Sequence, residues 1–309
     1  MLRLLVAVLA APFVSRTARA DTVIRMGTLK LIHALTPYFY ERFVPDGTRI
    51  EVIAFESPTD GKAAIVTKSI EFGTFGIAAA IQGAAAREPI VVVGPVCNKG
   101  MGVVARKDGD IATLKDLRGR RVAIWPGSTQ EVFIYDRLRM EGMSVKDIIP
   151  VRVSFSEMHA ALARGDVDAY VGAEPAPGVS LSTGVGKIVE YPYSTPMGAL
   201  NQILATHRDT VAEKPELVRA MVLLQRRAAE YATAHPDETT TLAVTKLGQK
   251  REAIALSLPN VEYTWRMTPE ILSQARTYAE HMLEAKQIKT LPDMAFLNAT
   301  FSDEVARVA

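Results

Sequence analysis

One cysteine, Cys97, stands in 309 residues. No intramolecular disulfide can form, which excludes a small disulfide-stapled secreted domain and is compatible with a bacterial periplasm. There is no surplus of one charge: 36 Lys and Arg face 34 Asp and Glu. Arg3, Arg16 and Arg19 lie in the first twenty residues, which hold no acid, so the remainder carries 33 bases against 34 acids. No Lys/Arg cluster is left to favour nucleic acid or an anionic membrane surface. Long apolar runs are missing as well. The stretch 4–14 is too short to span a bilayer, and nothing later is longer and as apolar. HExxH, P-loop, GxSxG and EF-hand patterns are absent, and Gly73 and Gly76 do not complete a GxGxxG. The histidines at 33, 159, 207, 235 and 281 have no metal-ligand spacing. Neither a metal nor a cofactor is called for.

What is present is ordinary globular composition, 48% hydrophobic and 23% charged. The length suits two domains, or one domain with two lobes. Arg3 before an apolar run, and Ala18-Arg19-Ala20 after it, read as a signal peptide over residues 1–20. Cleavage is expected after Ala20.

Beyond it, strands alternate with helices. Strands are expected at 22–27, 49–55, 70–77, 90–93, 121–124, 151–155 and 167–171. Helices are expected after Pro58, over 83–86, from Ser128 to about Glu141, and over 157–164. Ser156 is the expected cap of the last, and Gly165 its stop. His159, on that helix, reads as a solvated or capping histidine, and Cys97 as a buried thiol. Residues 58–76 and 156–172 share an order of helix, polar break, strand and glycine. Two similar α/β units with mostly parallel sheets are the economical reading. Such sheets bind ligands beyond the carboxyl ends of their strands. In the last third, helices from Pro215, Asp237 and Thr268 read as structural.

Three strand-end loops could carry binding chemistry. Pro126-Gly127-Ser128-Thr129-Gln130 opens a helix whose free N–H groups suit an anion or a polar oxygen. Equally, Ser128 could merely cap it. Ser57, Thr59 and Asp60 form the analogous turn, where Asp60 could serve its own helix as cap. Glu174-Pro175 follows a strand end. Its carboxylate could meet a ligand or pair with an arginine across the lobes.

The runs IATLKDLRGRRVAIWPGST and EGMSVKDIIPVRVSFSEMHAALARGDVDAYVGAEPAPG, within 111–178, carry a resemblance. NQILATHRDTVAEKPEL at 201–217 adds a return strand and helix. In these segments the chain resembles the periplasmic substrate-binding proteins of ABC importers in the nitrate/sulfonate/taurine and thiamine-precursor (NMT1/THI5-like) group. The resemblance implies a two-lobed type II periplasmic binding protein fold with two crossover strands, near 98–104 and 197–204. Lobe 1 would be 21–98 with 205–309, and lobe 2 would be 99–204. It implies a monomeric solute-binding protein, not an enzyme. Such a protein captures a small organic molecule or anion in the interlobe cleft and passes it to an ABC permease. An enzyme on the same scaffold, using His33, Asp60 and Glu174, or a ligand sensor, is the alternative. The cysteine-rich motif of the fungal thiamine-precursor enzymes is absent.

The ligand contacts that the resemblance implies fall on His33 in the loop 31–33, on Ser57, Thr59 and Asp60, on Gly76, Ile77 and Ala78, on Gly127, Ser128, Thr129 and Gln130, and on Glu174. These loops hold no Lys or Arg and Glu174 is negative, so the ligand's charge stays open.

Overall fold

The computed structural model describes residues 22–308, so the expected signal peptide and its cleavage site lie outside the described residues. The chain begins with β1 (Thr22–Leu29), β2 (Thr48–Phe55), α1 (Pro58–Val66), β3 (Phe72–Gly76), α2 (Ile77–Ala85) and β4 (Ile90–Lys99). A second unit follows: β5 (Met101–Arg106), β6 (Arg121–Ile124), α3 (Thr129–Met140), β7 (Ile149–Arg152), α4 (Met158–Arg164), β8 (Ala169–Ala173), α5 (Ala176–Ser182) and β9 (Gly186–Glu190). The chain then runs through β10 (Leu200–His207), α6 (Arg208–Glu213), α7 (Pro215–Ala234), α8 (Pro236–Leu247), α9 (Arg251–Ser257), β11 (Val261–Tyr263), α10 (Pro269–Glu284) and α11 (Thr300–Arg307).

Two sheets result. One has the order β11-β4-β10-β3-β1-β2, the other β7-β6-β8-β5-β9. Parallel pairing was expected throughout most of each sheet. It holds for β1 with β2 and β3, and for β6 with β7 and β8. The connecting strands break it. β10 runs antiparallel to β3 and β4, and β5 runs antiparallel to β8 and β9. A strand arriving from the other sheet has no crossover helix to turn it round, so it enters against the direction of its neighbours.

The first crossing is at Gly100, between β4 in the six-stranded sheet and β5 in the five-stranded one. The second falls between β9 and β10. An expected boundary at 204–205 would cut through β10, so the return lies ahead of Leu200. The crossings are tied to each other. Lys99 N donates to Ala199 O at 2.7 Å, and Asn201 Nδ2 donates to Lys99 O at 2.6 Å.

Helix α2 starts at Ile77 rather than at Gly83. Its first five residues, IAAAI, are fully buried. Small side chains let it lie close to both sheet and helix neighbours, and burial on all sides erases the amphipathic pattern by which a helix is recognised. Helix α7 shows the opposite case. Val218, Met221, Val222, Leu224, Gln225, Ala228 and Ala232 form its inward stripe. Gln225 is satisfied there by Tyr40 Oη and by Thr264 O.

The late helices do more than the structural role expected of them. Helix α9 packs on α5 of the second unit, and α10 meets α3, where Tyr278 Oη donates to Thr129 O at 2.9 Å.

Candidate functional site

Glu174 follows β8 and lies at the first crossing. Its side chain faces no open space: the residue is 1% exposed. Oε1 accepts from Asn260 Nδ2 at 3.1 Å and Oε2 accepts from Gly178 N at 3.1 Å. Its backbone N donates to Gly100 O, and its carbonyl accepts from Ile32 N. Asn260 also donates to Met101 O, whose other partner is Tyr193 Oη. Of the two roles open to it, pairing with an arginine is not seen: among the described residues Glu174 forms no ion pair. Burial pushes its carboxyl pKa above the usual range, while the bonds from Ser257, Asn260 and Gly178 pull it back.

His33 joins this cluster. It is 1% exposed, and its Nδ1 has no hydrogen-bond partner. The ring lies against Gly100, whose φ is +83°. A Cβ there would meet His33 Nδ1 at 2.8 Å. His33 and Glu174 thus come together, behind the crossing.

The two helix starts are capped by their serines. Ser57 Oγ accepts from Asp60 N at 3.2 Å, so Asp60 is not the cap. Its carboxylate, like Thr59, is exposed. Ser128 Oγ accepts from Glu131 N at 3.2 Å. Glu131 reaches back to Gly127 N at 2.8 Å and also accepts from Gln287 Nε2 and Tyr135 Oη. A carboxylate therefore already occupies the positive end of α3, where an anion would meet its charge.

Ser128, Thr129 and Gln130 are buried. Thr129 sits against Gly76, where a Cβ would stand 2.5 Å from Thr129 Oγ1. Ile77 and Ala78 are fully buried behind it. The loops from the two units meet at this point with no gap between them. Gly76→Val is expected to cost about 1–3 kcal/mol by overpacking. Adding Thr129→Ala should recover part of the loss. Urea unfolding of the two single variants and the double variant measures the coupling, and simple additivity would refute the contact.

Space opens elsewhere between the two units. A cavity of about 320 Å³ lies at the carboxyl ends of strands from both sheets. Lys30 and Leu31 follow β1, and Phe55 and Glu56 close β2. Phe155, Ser156 and His159 come from the β7–α4 connection and the start of α4. Ala173, Pro175, Ala176 and Val179 follow β8, and Leu247 and Gln249 come from the end of α8. The size is that of a small-molecule site, and the walls are mainly apolar. Trp125 backs Phe155 with ring centroids 6.4 Å apart, and the Arg152 guanidinium lies 5.0 Å from the Trp125 centroid. Lys30 Nζ pairs with Glu56 Oε1 at the rim.

None of the twelve expected contacts lines this cavity, though Glu56 adjoins Ser57, Ala173 and Pro175 adjoin Glu174, and Leu31 begins the loop that holds His33. Lys30 was missed by a single position. The signal for it was its place directly after a strand with a buried carboxyl end. His159, expected to be solvated or capping, caps no helix and is half-buried on the cavity wall. Its Nδ1 lies 3.0 Å from Ser180 Oγ, and burial lowers its pKa. Ser156 does not cap α4; its hydroxyl pairs with Ser154 Oγ. Cys97 is buried, as expected, and burial raises its thiol pKa. Among the described residues no cluster of metal-ligating side chains forms, and no helix is long and apolar enough to cross a membrane.

A two-lobed α/β fold, with a cavity walled by both sheets at their strand ends, defines the class of periplasmic binding protein folds. The chain belongs to the family described as NMT1/THI5 like, which matches residues 41–239. A relative from Escherichia coli (strain K12) is 22% identical over 285 residues, covering 85% of this chain and 89% of its own. Its name refers to binding of aliphatic sulfonates. The alkanesulfonate-binding protein SsuA from Xanthomonas axonopodis pv. citri, solved bound to MOPS, superposes with a TM-score of 0.77. It is 19% identical and covers 91% of this chain and 98% of its own. The desulfurization enzyme DSZB has the same fold, with a TM-score of 0.71 and 16% identity over 93% of this chain and 99% of its own.

Proposed function

We propose that this chain is the solute-binding component of an ABC importer, and that it works in the periplasm and hands its solute to a membrane permease. The single observation that carries the reading is the cavity, walled by side chains from both sheets in an NMT1/THI5-like chain. An occupant touching both sides stabilises the closed arrangement over any open one, and this difference is what a permease can sense. The lobes are divided at Gly100 and again ahead of Leu200. Glu174, His33 and Asn260 serve the crossing between them. Ser57 and Ser128 hold the helix starts, and Gly76 and Thr129 form a close seam between the units.

Binding without turnover is the reading the cavity chemistry favours. Cys97 is buried with its thiol pKa raised, and the Ser156 hydroxyl lies beside Ser154 Oγ, so neither is an activated nucleophile. Sulfonates come first in the test panel because relatives bind them. An anion would draw Lys30 away from Glu56.

A thermal-shift screen of sulfonates, carboxylates, aromatic acids, pyrimidines and amines is the test. A solute that binds the folded state alone must raise Tm with concentration. Phe155→Ala should weaken binding of the hit by about tenfold or more, since it removes most of an aromatic wall. An equal shift in the variant would move the site elsewhere. Mass spectrometry should recover the solute unchanged; a converted solute would make the chain an enzyme.

A further inference from the structure

His159 holds the cavity-side end of a short hydrogen-bond chain. Ser180 Oγ lies 3.0 Å from its Nδ1 and 2.8 Å from Tyr170 Oη. Ser180 and Tyr170 are both fully buried. Neither hydroxyl has another partner among the described residues. Three heavy atoms in line make two links, and two links accommodate two hydrogens. Tyr170 and Ser180 each bring one. A third hydrogen on Nδ1 would leave one buried donor without an acceptor, a state disfavoured by about tenfold or more. Nδ1 is therefore the acceptor at the end of a relay in which Tyr170 donates to Ser180 and Ser180 donates to His159. The ring proton sits on Nε2, which has no hydrogen-bond partner among the described residues. Burial lowers the ring's pKa, which keeps it neutral near neutral pH.

We propose that His159 presents an Nε2–H donor to the cavity, with its tautomer set by Ser180 and Tyr170, and that it selects solutes carrying an oxygen acceptor on an apolar, ring-sized body. This rests on the reading of the cavity as the solute site. A carboxylate or carbonyl oxygen meets the donor, and Lys30 at the rim assists an anionic one. Leu31, Phe55, Phe155 and Val179 take the apolar body. An amine head brings donors to a donor, and the carboxylate of the lining, Glu56, is already paired with Lys30.

The test begins without a solute. In the protein labelled with ¹⁵N-histidine at pH 7.5, two-bond correlations should show His159 as the Nε2–H tautomer, assigned by loss of its signals in His159→Phe. Ser180→Ala should turn it into a mixture. An Nδ1–H tautomer in the unaltered protein overturns the proposal. Benzoate and benzylamine are then titrated as probes of matched size. Benzoate should move the His159 Nε2 signal and benzylamine should not, and His159→Phe should weaken benzoate about tenfold or more. Preferential binding of benzylamine overturns the acceptor rule and leaves the cavity as the solute site. If no solute of the screen moves these signals, the cavity itself is not the site, and the proposed function falls with the selectivity built on it.

Discussion

Gly178→Val is expected to cost about 3 kcal/mol of stability and to loosen α9 from the second lobe. Gly178 lies inside α5, where α9 crosses it. A Cβ there would stand 2.1 Å from Ser257 Oγ and 2.4 Å from the Ala253 carbonyl. The first atom can rotate away. The second belongs to the backbone of a packed helix and cannot. Gly178 N also donates to Glu174 Oε2, so the displacement disturbs the crossing as well. Ser257→Ala in the same chain should restore only the part owed to the hydroxyl. Urea unfolding measures both, and full rescue by Ser257→Ala would show that the backbone contact is unimportant. Solute affinity should fall together with stability, because Ala176 and Val179 of the same helix wall the cavity.

Acid should weaken the protein through His33. Burial lowers its pKa to about 3 in the folded state, against an ordinary value near 6.5. The unfolded chain therefore binds a proton below about pH 6.5 that the folded chain refuses. The stability contributed by neutral His33 is present above that value and is lost as pH falls toward 3. At pH 5 the gap of about 1.5 units corresponds to about 2 kcal/mol. Glu174 acts in the opposite sense. Its folded pKa is raised, so its contribution is complete at low pH and is lost as pH rises through the raised value. His33→Leu removes the first effect and leaves the second. Since Nδ1 has no partner to lose, the variant should fold. Urea unfolding at pH 7.5 and pH 5.0 should show the wild type losing about 2 kcal/mol more than His33→Leu. Identical losses would mean that water or a local rearrangement serves the ring.

Much of the fold was legible because it is written in short periods. The apolar alternation at 49–55, the cap at Thr268 before Pro269 and the stripe of α7 all answer to local rules, and the structure places elements there. In the sequence Ser128 can be a helix cap or a ligand donor, and in the structure it caps α3. Gly165, the expected stop of α4, ends it in the left-handed conformation at φ +75°. Where neighbours in space decide, the reading fails. The first five residues of α2 show no polar face, because they are buried on every side. Asp60 and Ser57 compete for one cap, and Ser57 takes it at the position before Pro58.

The alternation of strand and helix, the helix caps and the family resemblance settle the class of this protein from sequence alone. They do so because each depends on residues a few positions apart. The character of the site was decided by the tertiary structure. Lys30, His159, Ala176 and Gln249 are separated by up to 219 positions and share one wall only after both sheets are in place. By its strand-end position Glu174 could meet a ligand or pair across the lobes. Packing of Asn260 and α5 against it made it part of the crossing instead. Burial and hydrogen-bond partners are properties of the whole assembly, and the chemistry of a carboxylate or an imidazole depends on them more than on its place in the chain.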